Sequence, residues 1–388
     1  MIRDSVKKTR VYYIANARLP NEKAHGIQLA KMCEAFVEAG FDLRLIVPNK
    51  RNELRGPLEE FYGLKNKIMV TKLPVIDIWP ASALGFNLSS LTFALSYFFY
   101  LLKKRLFGHG GIIYTIDLDQ FSFFLIPFLG LPYFFETHAT KNKSLLYWGF
   151  LKKALGIITI NSWIQKNLAE KFKLAPSKFL VFPNGIDFEM FSDQLSKKQS
   201  RLKLNLLQNQ KIIVYLGRFY DWKGLGIVAP AAEFLPNEFV FYLVGGTELQ
   251  FKDVTAAKNL PKNIICVGSR PYQEMPLWVA AADLVLVLGT KANDYSYYQT
   301  SPMKIFEYMA VKRPMVASRT PAVQEIVSES EAFFYQPDNP ESLGIAVREA
   351  MADEKKLSEI TERAYKKVIN YSWLNRATAI KNFISQSR

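Results

Sequence analysis

The chain has 388 residues, of which 49% are hydrophobic and 22% charged, and it carries a formal net charge of +15. Its length exceeds what a single hydrophobic core usually serves, so two domains are expected. Its two cysteines, Cys33 and Cys266, stand far apart, which excludes a disulfide framework or a zinc site of ordinary spacing and points to a reducing compartment.

The basic start MIRDSVKKTR passes directly into VYYIANA with no apolar leader core or small-residue cleavage site, so a cytoplasmic protein is expected. Short β-rich runs then alternate with helical stretches, the pattern of a doubly wound α/β sheet. In the first half the predicted strands are Val11–Ala15, Leu43–Val47, Ile112–Thr115, Tyr133–Glu136, Ile157–Ile160 and Phe179–Phe182. A polar, lysine-rich connection, SDQLSKKQSRLKLNLLQNQ over 192–210, precedes a second series at Ile212–Leu216, Phe239–Val244, Ile264–Val267, Leu284–Leu288 and Met315–Ala317. The expected domains are 1–195 and 205–371, each Rossmann-like, with a terminal helix over 372–388 packing back on the first.

Several segments carry chemistry. In the first βα turn Gly26 opens a helix and lets the backbone approach a diphosphate, while His25 reads equally as a helix-start residue or a ligand. No GxGxxG is present, so a dinucleotide fingerprint is absent. Leu84–Gly108 is apolar and aromatic and ends in Lys103, Lys104 and Arg105. It reads as a membrane span, as a helix on an anionic membrane surface, or as a buried sheet-covering helix. Asp117 and Asp119 in YTIDLDQ could meet an acceptor, although Asp119 also suits a helix N-cap. FETHAT places His138 at the C-terminal end of a predicted strand, where open α/β sheets bind ligands. Arg218 and Lys223 follow the strand IIVYLG, and a fork-shaped cation beside a point charge suits a pyrophosphate.

The segment QTSPMKIFEYMAVKRPMVAS, Gln299–Ser318, places a loop, a helix start, a carboxylate and a buried strand in one order. Ser301 is expected to N-cap a helix with Pro302 at its first position, leaving amides free for an anion. Glu307 then sits more than a turn inside, about 8 Å from those amides by helix rise, a distance suited to ribose hydroxyls.

This segment resembles the signature region of family-4 retaining glycosyltransferases, with Glu307 matching the second glutamate of their pattern. Gln299 occupies the place of the first glutamate, and TSPMK replaces the usual glycine-bearing loop. FPNGIDFEMF, Phe182–Phe191, is similar to the phrase that closes the family's N-terminal domain. LGRFYDWKG, Leu216–Gly224, resembles its diphosphate-binding arginine and lysine loop, and NYSWLNRATAIKNF, Asn370–Phe383, resembles its terminal helix. The resemblance implies the GT-B fold, two Rossmann-like doubly wound domains facing across a cleft. It also implies His138, Arg218 and Lys223 as catalytic residues, and a donor site of Gly26, Arg218, Lys223, Gln299, Ser301, Met303, Lys304 and Glu307.

The function so implied is transfer of a sugar, with retention, from a nucleotide-diphosphate donor to a glycan or lipid-linked acceptor in cell-surface polysaccharide or glycolipid synthesis. No cofactor or metal is expected, although Asp117-Leu118-Asp119 has the spelling of a DxD metal motif. Gln299 keeps a noncatalytic glycan-binding or regulatory reading open, and a sugar-nucleotide epimerase is a further alternative. Residues 1–190 hold 25 basic against 15 acidic residues and 191–388 hold 25 against 20, so the first half is the more basic. An anionic membrane surface at the inner face of the membrane is a second expected partner. Nucleic acid is not, because no binding motif or arginine-rich run accompanies the charge.

Overall fold

The computed structural model describes residues 8–79, 82–192, 195–236 and 238–387. The first seven residues of the basic N-terminal stretch, two positions of the 192–210 connection and the last residue of the predicted terminal helix lie outside the described residues. The chain divides into two compact units, Met1–Phe182 with Trp373–Arg388, and Pro183–Ser372. The change of unit thus falls at Phe182–Pro183, ahead of the polar connection, so that all of FPNGIDFEMF after Phe182 lies in the second unit.

The first unit holds a seven-stranded parallel sheet of β1 (Arg10–Ala15), β2 (Asp42–Pro48), β3 (Val70–Leu73), β4 (Ile112–Ile116), β5 (Tyr133–Thr137), β6 (Gly156–Thr159) and β7 (Phe179–Val181). Its order is β3-β2-β1-β4-β5-β6-β7, with Tyr13 in register with Leu45 on one side and Tyr114 on the other. The second unit holds a six-stranded parallel sheet of β8 (Lys211–Leu216), β9 (Phe239–Val244), β10 (Ile264–Gly268), β11 (Leu284–Val287), β12 (Met315–Ser318) and β13 (Phe333–Tyr335), ordered β10-β9-β8-β11-β12-β13. The strand order reverses at β1/β4 and at β8/β11, and ligand crevices of doubly wound sheets open at such points. The edge strands β3 and β13 were not predicted: β3 (VTKL) is largely open to solvent and lacks a continuous apolar run, and β13 (FFY) is only three residues long.

Strands β1, β4 and β5 are almost wholly buried because helices cover both faces of the sheet. One face packs Tyr12, Ile14, Ile113 and Phe135 against Phe93 and Tyr97 of the helix Ala83–Leu106 and Phe150 of the helix Leu145–Lys153. On the other face, Tyr13, Phe36 and Tyr114 meet edge to face at 4.9–5.8 Å, and the helix Ala24–Glu38 packs against the terminal helix Trp373–Gln386.

The terminal helix is tied down by an ion pair. Arg376 is fully buried and its guanidinium grips the Glu136 carboxylate in a fork, Nη2 donating to Oε1 at 2.9 Å and Nη1 to Oε2 at 3.2 Å. Burial alone would raise the Glu136 carboxyl, but the Arg376 charge and the His138 hydrogen bond outweigh it and hold the group well below the usual carboxylate range. A depressed folded-state pKa contributes stability above the unfolded value and loses it as the pH falls. Arg376→Met is expected to cost about 3 to 5 kcal/mol, because it leaves a buried carboxylate without its counter-charge. Urea unfolding at pH 7 checks this, and the gap from wild type should begin to narrow below about pH 4.5 and shrink progressively as the pH falls further; equal midpoints at pH 7 would contradict it.

Candidate functional site

The second unit gathers cations at the C-terminal end of β8. Gly217 follows that strand with a φ of +134°, and a Cβ there would stand 3.1 Å from the Lys304 ammonium and 3.3 Å from that of Lys223. The loop carrying Arg218 and Lys223 turns back at Gly224, where a side chain would meet the Gly289 carbonyl oxygen at 2.9 Å. Lys223 Nζ donates to the Arg218 carbonyl at 3.1 Å, and the Lys304 ammonium sits 3.8 Å from the centre of the Tyr215 ring. Among the described residues neither ammonium has a carboxylate within ion-pair distance. Burial, then the Arg218 charge, lowers the Lys223 ammonium to about 8. Burial and the Lys223 charge push Lys304 well down, against the pull of Glu307.

Lys304 belongs to the first turn of the helix Met303–Ala310, whose opening amides lie at the positive end of the helix dipole. Ser301 does not cap it. The N-cap position is Pro302, and the Ser301 hydroxyl instead accepts from the Asn184 amide at 3.1 Å while Asn184 Nδ2 donates to the Ser301 carbonyl at 2.8 Å. The FPNG and TSPMK segments are thereby locked together, and the serine is already engaged on its other side. Met303, half-buried, is the first helical residue. Gln299 is buried and ends a π-helical turn, Tyr295–Gln299, a rare geometry that recurs at functional sites. Glu307, buried one turn into the helix, accepts from the Tyr272 hydroxyl at 3.1 Å. Burial raises its carboxyl to about 7, against the Tyr272 hydrogen bond and the Lys304 charge. Chemically, this is a positively charged recess with a buried acceptor nearby, suited to an anion linked to a hydroxyl-bearing ring.

The first unit builds a second cluster at the ends of β4 and β5. His138 follows β5, its Nε2 lying 2.7 Å from Glu136 Oε1 and its backbone amide donating to Asp117 Oδ1 at 3.0 Å. Glu136 also accepts from the Tyr114 hydroxyl and, at 3.2 Å, from Gln28 Nε2. Asp117, at a left-handed φ of 44°, accepts from the Lys141 ammonium at 3.2 Å. Burial opposes its ionisation, but the charges of Lys141 and His138 and the His138 amide lower it overall. His25 is half-buried nearby, and burial lowers its pKa. The Gly26 amide donates to the Lys23 carbonyl at 2.8 Å, and a side chain there would meet Asn21 Oδ1 at 2.5 Å and the Tyr62 hydroxyl at 2.6 Å, so packing alone requires the glycine. Asp119 is an N-cap, accepting from the amides of Phe121 and Ser122.

The structure therefore brings Arg218, Lys223, Lys304 and Glu307 into one unit, with Gln299, Ser301 and Met303 on the segment leading into the same helix. It sets His138 and Gly26 in the other. Sequence reasoning missed Tyr272, for which no motif speaks, and Arg376. The signal for Arg376 was an arginine on the apolar side of the terminal helix, in line with Trp373, Ala377, Ile380 and Ile384.

Residues 196–367 match the family model for glycosyl transferases group 1. The chain is 25% identical over 264 residues to the Escherichia coli UDP-Gal:alpha-D-GlcNAc-diphosphoundecaprenol alpha-1,3-galactosyltransferase, covering 64% of this chain and 65% of that protein. It is 24% identical over 220 residues to the Salmonella typhimurium lipopolysaccharide 1,2-N-acetylglucosaminetransferase, covering 53% of this chain and 56% of that one. The match thus spans between about half and two thirds of these relatives. Among solved structures, Anabaena HepE in complex with UDP-glucose superposes with a TM-score of 0.72 at 16% identity, over 97% of this chain and 100% of that one. The chain thus has two parallel, doubly wound sheets of GT-B type, and its likeness to the glycosyl transferases group 1 family extends over residues 196–367.

Proposed function

We propose that this protein is a retaining glycosyltransferase of the family-4 type, moving a sugar from a nucleoside-diphosphate donor to a glycan or lipid-linked acceptor in cell-surface polysaccharide or glycolipid synthesis. The observation that carries this reading is the convergence of Lys223 and Lys304 on Gly217, with Arg218 in the same loop and the buried Glu307 on the same helix as Lys304. Such cations are costly without an anion. A diphosphate supplies one, and it is the group on which negative charge grows as the glycosidic bond breaks. Arg218 and Lys223 hold that charge, the amides at Met303 and Lys304 cap it, and Glu307 accepts from the ribose. His138, oriented by Glu136 and Asp117, contacts the transferred sugar. The named relatives, one using UDP-Gal with a diphosphoundecaprenol acceptor, favour the same donor and acceptor chemistry. Because protein cations neutralise the diphosphate, transfer is expected to proceed in EDTA, and the protein is expected to work on the cytoplasmic side.

The test is release of nucleoside diphosphate from UDP-, GDP- and ADP-sugars, followed with and without lipid-diphosphate sugar acceptors. Acceptor-dependent release supports transfer. Epimer formation would indicate an epimerase, and binding of a nucleotide sugar without any turnover would indicate a noncatalytic role.

Three further outcomes are expected. Glu307→Ala should weaken UDP binding by about 1.5 to 3 kcal/mol, the range for a hydrogen bond to a charged group, and calorimetry showing unchanged affinity would remove Glu307 from the ribose. A bound phosphate raises the pKa of Lys223 from about 8, so UDP binding near pH 8 should take up a proton and affinity should fall as the pH rises above that value. Titration in two buffers of different ionisation enthalpy reads the uptake directly, and zero uptake would place Lys223 away from the phosphate. For His138→Ala, kcat should drop with nucleotide affinity nearly intact; parallel losses in both would argue against contact with the sugar.

A further inference from the structure

The helix Ala83–Leu106 runs for 24 residues and is the described helix long and apolar enough to cross a membrane. One side of it belongs to the core: Phe93, Ala94, Tyr97 and Leu101 are fully buried on the sheet, and the Tyr97 hydroxyl donates to the Ser122 carbonyl at 2.7 Å. The other side is apolar and uncovered. Leu84, Leu91, Leu95, Phe99 and Leu106 recur at helical spacing along it, with Leu84 at 79% and Phe99 at 64% exposure.

The basic end of this helix meets a second exposed apolar element. Arg105 Nη1 donates to the Leu129 carbonyl at 2.7 Å, beside Phe128, which is 69% exposed. Lys153, at the end of the helix Leu145–Lys153, stands 5.7 Å from the Phe128 ring, and Lys152 stands 4.6 Å from the ring of Trp148. Leu145, Leu146 and Trp148 of that helix are exposed as well. Two helix ends thus bring Lys103, Lys104, Arg105, Lys152 and Lys153 around exposed aromatic and aliphatic side chains. Residues 78–116 and 138–169 contain no aspartate or glutamate, so both exposed helices are free of acids.

We propose that this face of the first unit, formed by the helices Ala83–Leu106 and Leu145–Lys153 and the Phe128 turn, docks on an anionic lipid bilayer. Apolar side chains of this size enter the headgroup region while the flanking lysines and arginines pair with lipid phosphates. Spanning would require Phe93, Tyr97 and Leu101 to leave the core. A second copy of the chain would present the same acid-free surface and bring cation against cation. An anionic bilayer is the partner whose charge complements the whole face. The surface is distinct from the nucleotide-binding residues of the other unit, and its test needs no sugar donor.

The full chain is to be sedimented with vesicles of phosphatidylcholine alone or with phosphatidylglycerol, at low and high salt. Binding is expected to the phosphatidylglycerol vesicles and to weaken about tenfold or more in high salt, as screening of surface charge requires. The charge-reversal variant K103E/K104E/K152E/K153E and the exposed-face variant L91S/L95S/F99S should each lose at least about tenfold in vesicle affinity while keeping the wild-type circular dichroism, because none of these side chains is in the core. Equal binding to both vesicle types, or wild-type binding by both variants, would overturn the proposal. So would protein that resists carbonate extraction, which means insertion, or a dimer in the ultracentrifuge that L91S/L95S/F99S dissociates. Loss of UDP binding with vesicle binding intact would count against the proposed nucleotide site alone.

Discussion

The buried pair of Glu136 and Arg376 connects residues 240 positions apart and joins the last helix of the chain to the centre of the first sheet. A carboxylate at 0% exposure on a central strand is costly, and four groups compensate it: the Arg376 fork, the Tyr114 hydroxyl, Gln28 and His138. The same oxygen that accepts from Arg376 Nη2 also lies against the His138 ring. The ion pair that fastens the terminal helix therefore also holds the carboxylate against which the His138 imidazole at the end of β5 rests. Fold and site share a single carboxylate.

The second unit solves the opposite problem. There, two ammonium groups are brought together with no carboxylate in ion-pair distance among the described residues, and burial with neighbouring positive charge lowers both. The glycines make this approach geometrically feasible: Gly217 leaves room for both ammonium groups, and Gly224 allows the loop to fold onto the Gly289 carbonyl. The rest of the recess is rigid, because Asn184 clamps Ser301 and Tyr272 fixes one oxygen of Glu307. A preformed positive recess stores electrostatic cost in the empty protein and returns it when an anion enters, which is how fixed dipoles and charges stabilise a developing charge with little reorganisation.

Much of this was legible in the sequence, and the parts that were not share a cause. The central strands β1, β4, β8, β9 and β11 announce themselves because a strand buried on both faces must be continuously apolar. Strands β3 and β13 were missed because VTKL is mostly open to solvent and FFY is only three residues long. The Arg218–Lys223 loop and Glu307 could be read because their spacing is local, within one turn or one loop. Ser301 misled because a serine before Pro-Met-Lys satisfies every local rule for an N-cap, while its actual partner, Asn184, is 117 residues away. Tyr272 and Arg376 escaped for the same reason: their partners are set by topology, and sequence spacing carries no trace of which strand end will face which helix.

Gln299 gains a physical reading from its burial. The residue is buried, and an ionised glutamate there would need a cation of its own or a raised pKa, as Glu307 shows by rising to about 7 a few residues away. An amide keeps an acceptor and adds two donors at the end of the π-helical turn with no charge to bury. Under the proposed donor reading, an uncharged residue here leaves hydrogen-bond geometry, not charge, as the basis of any contact with a sugar.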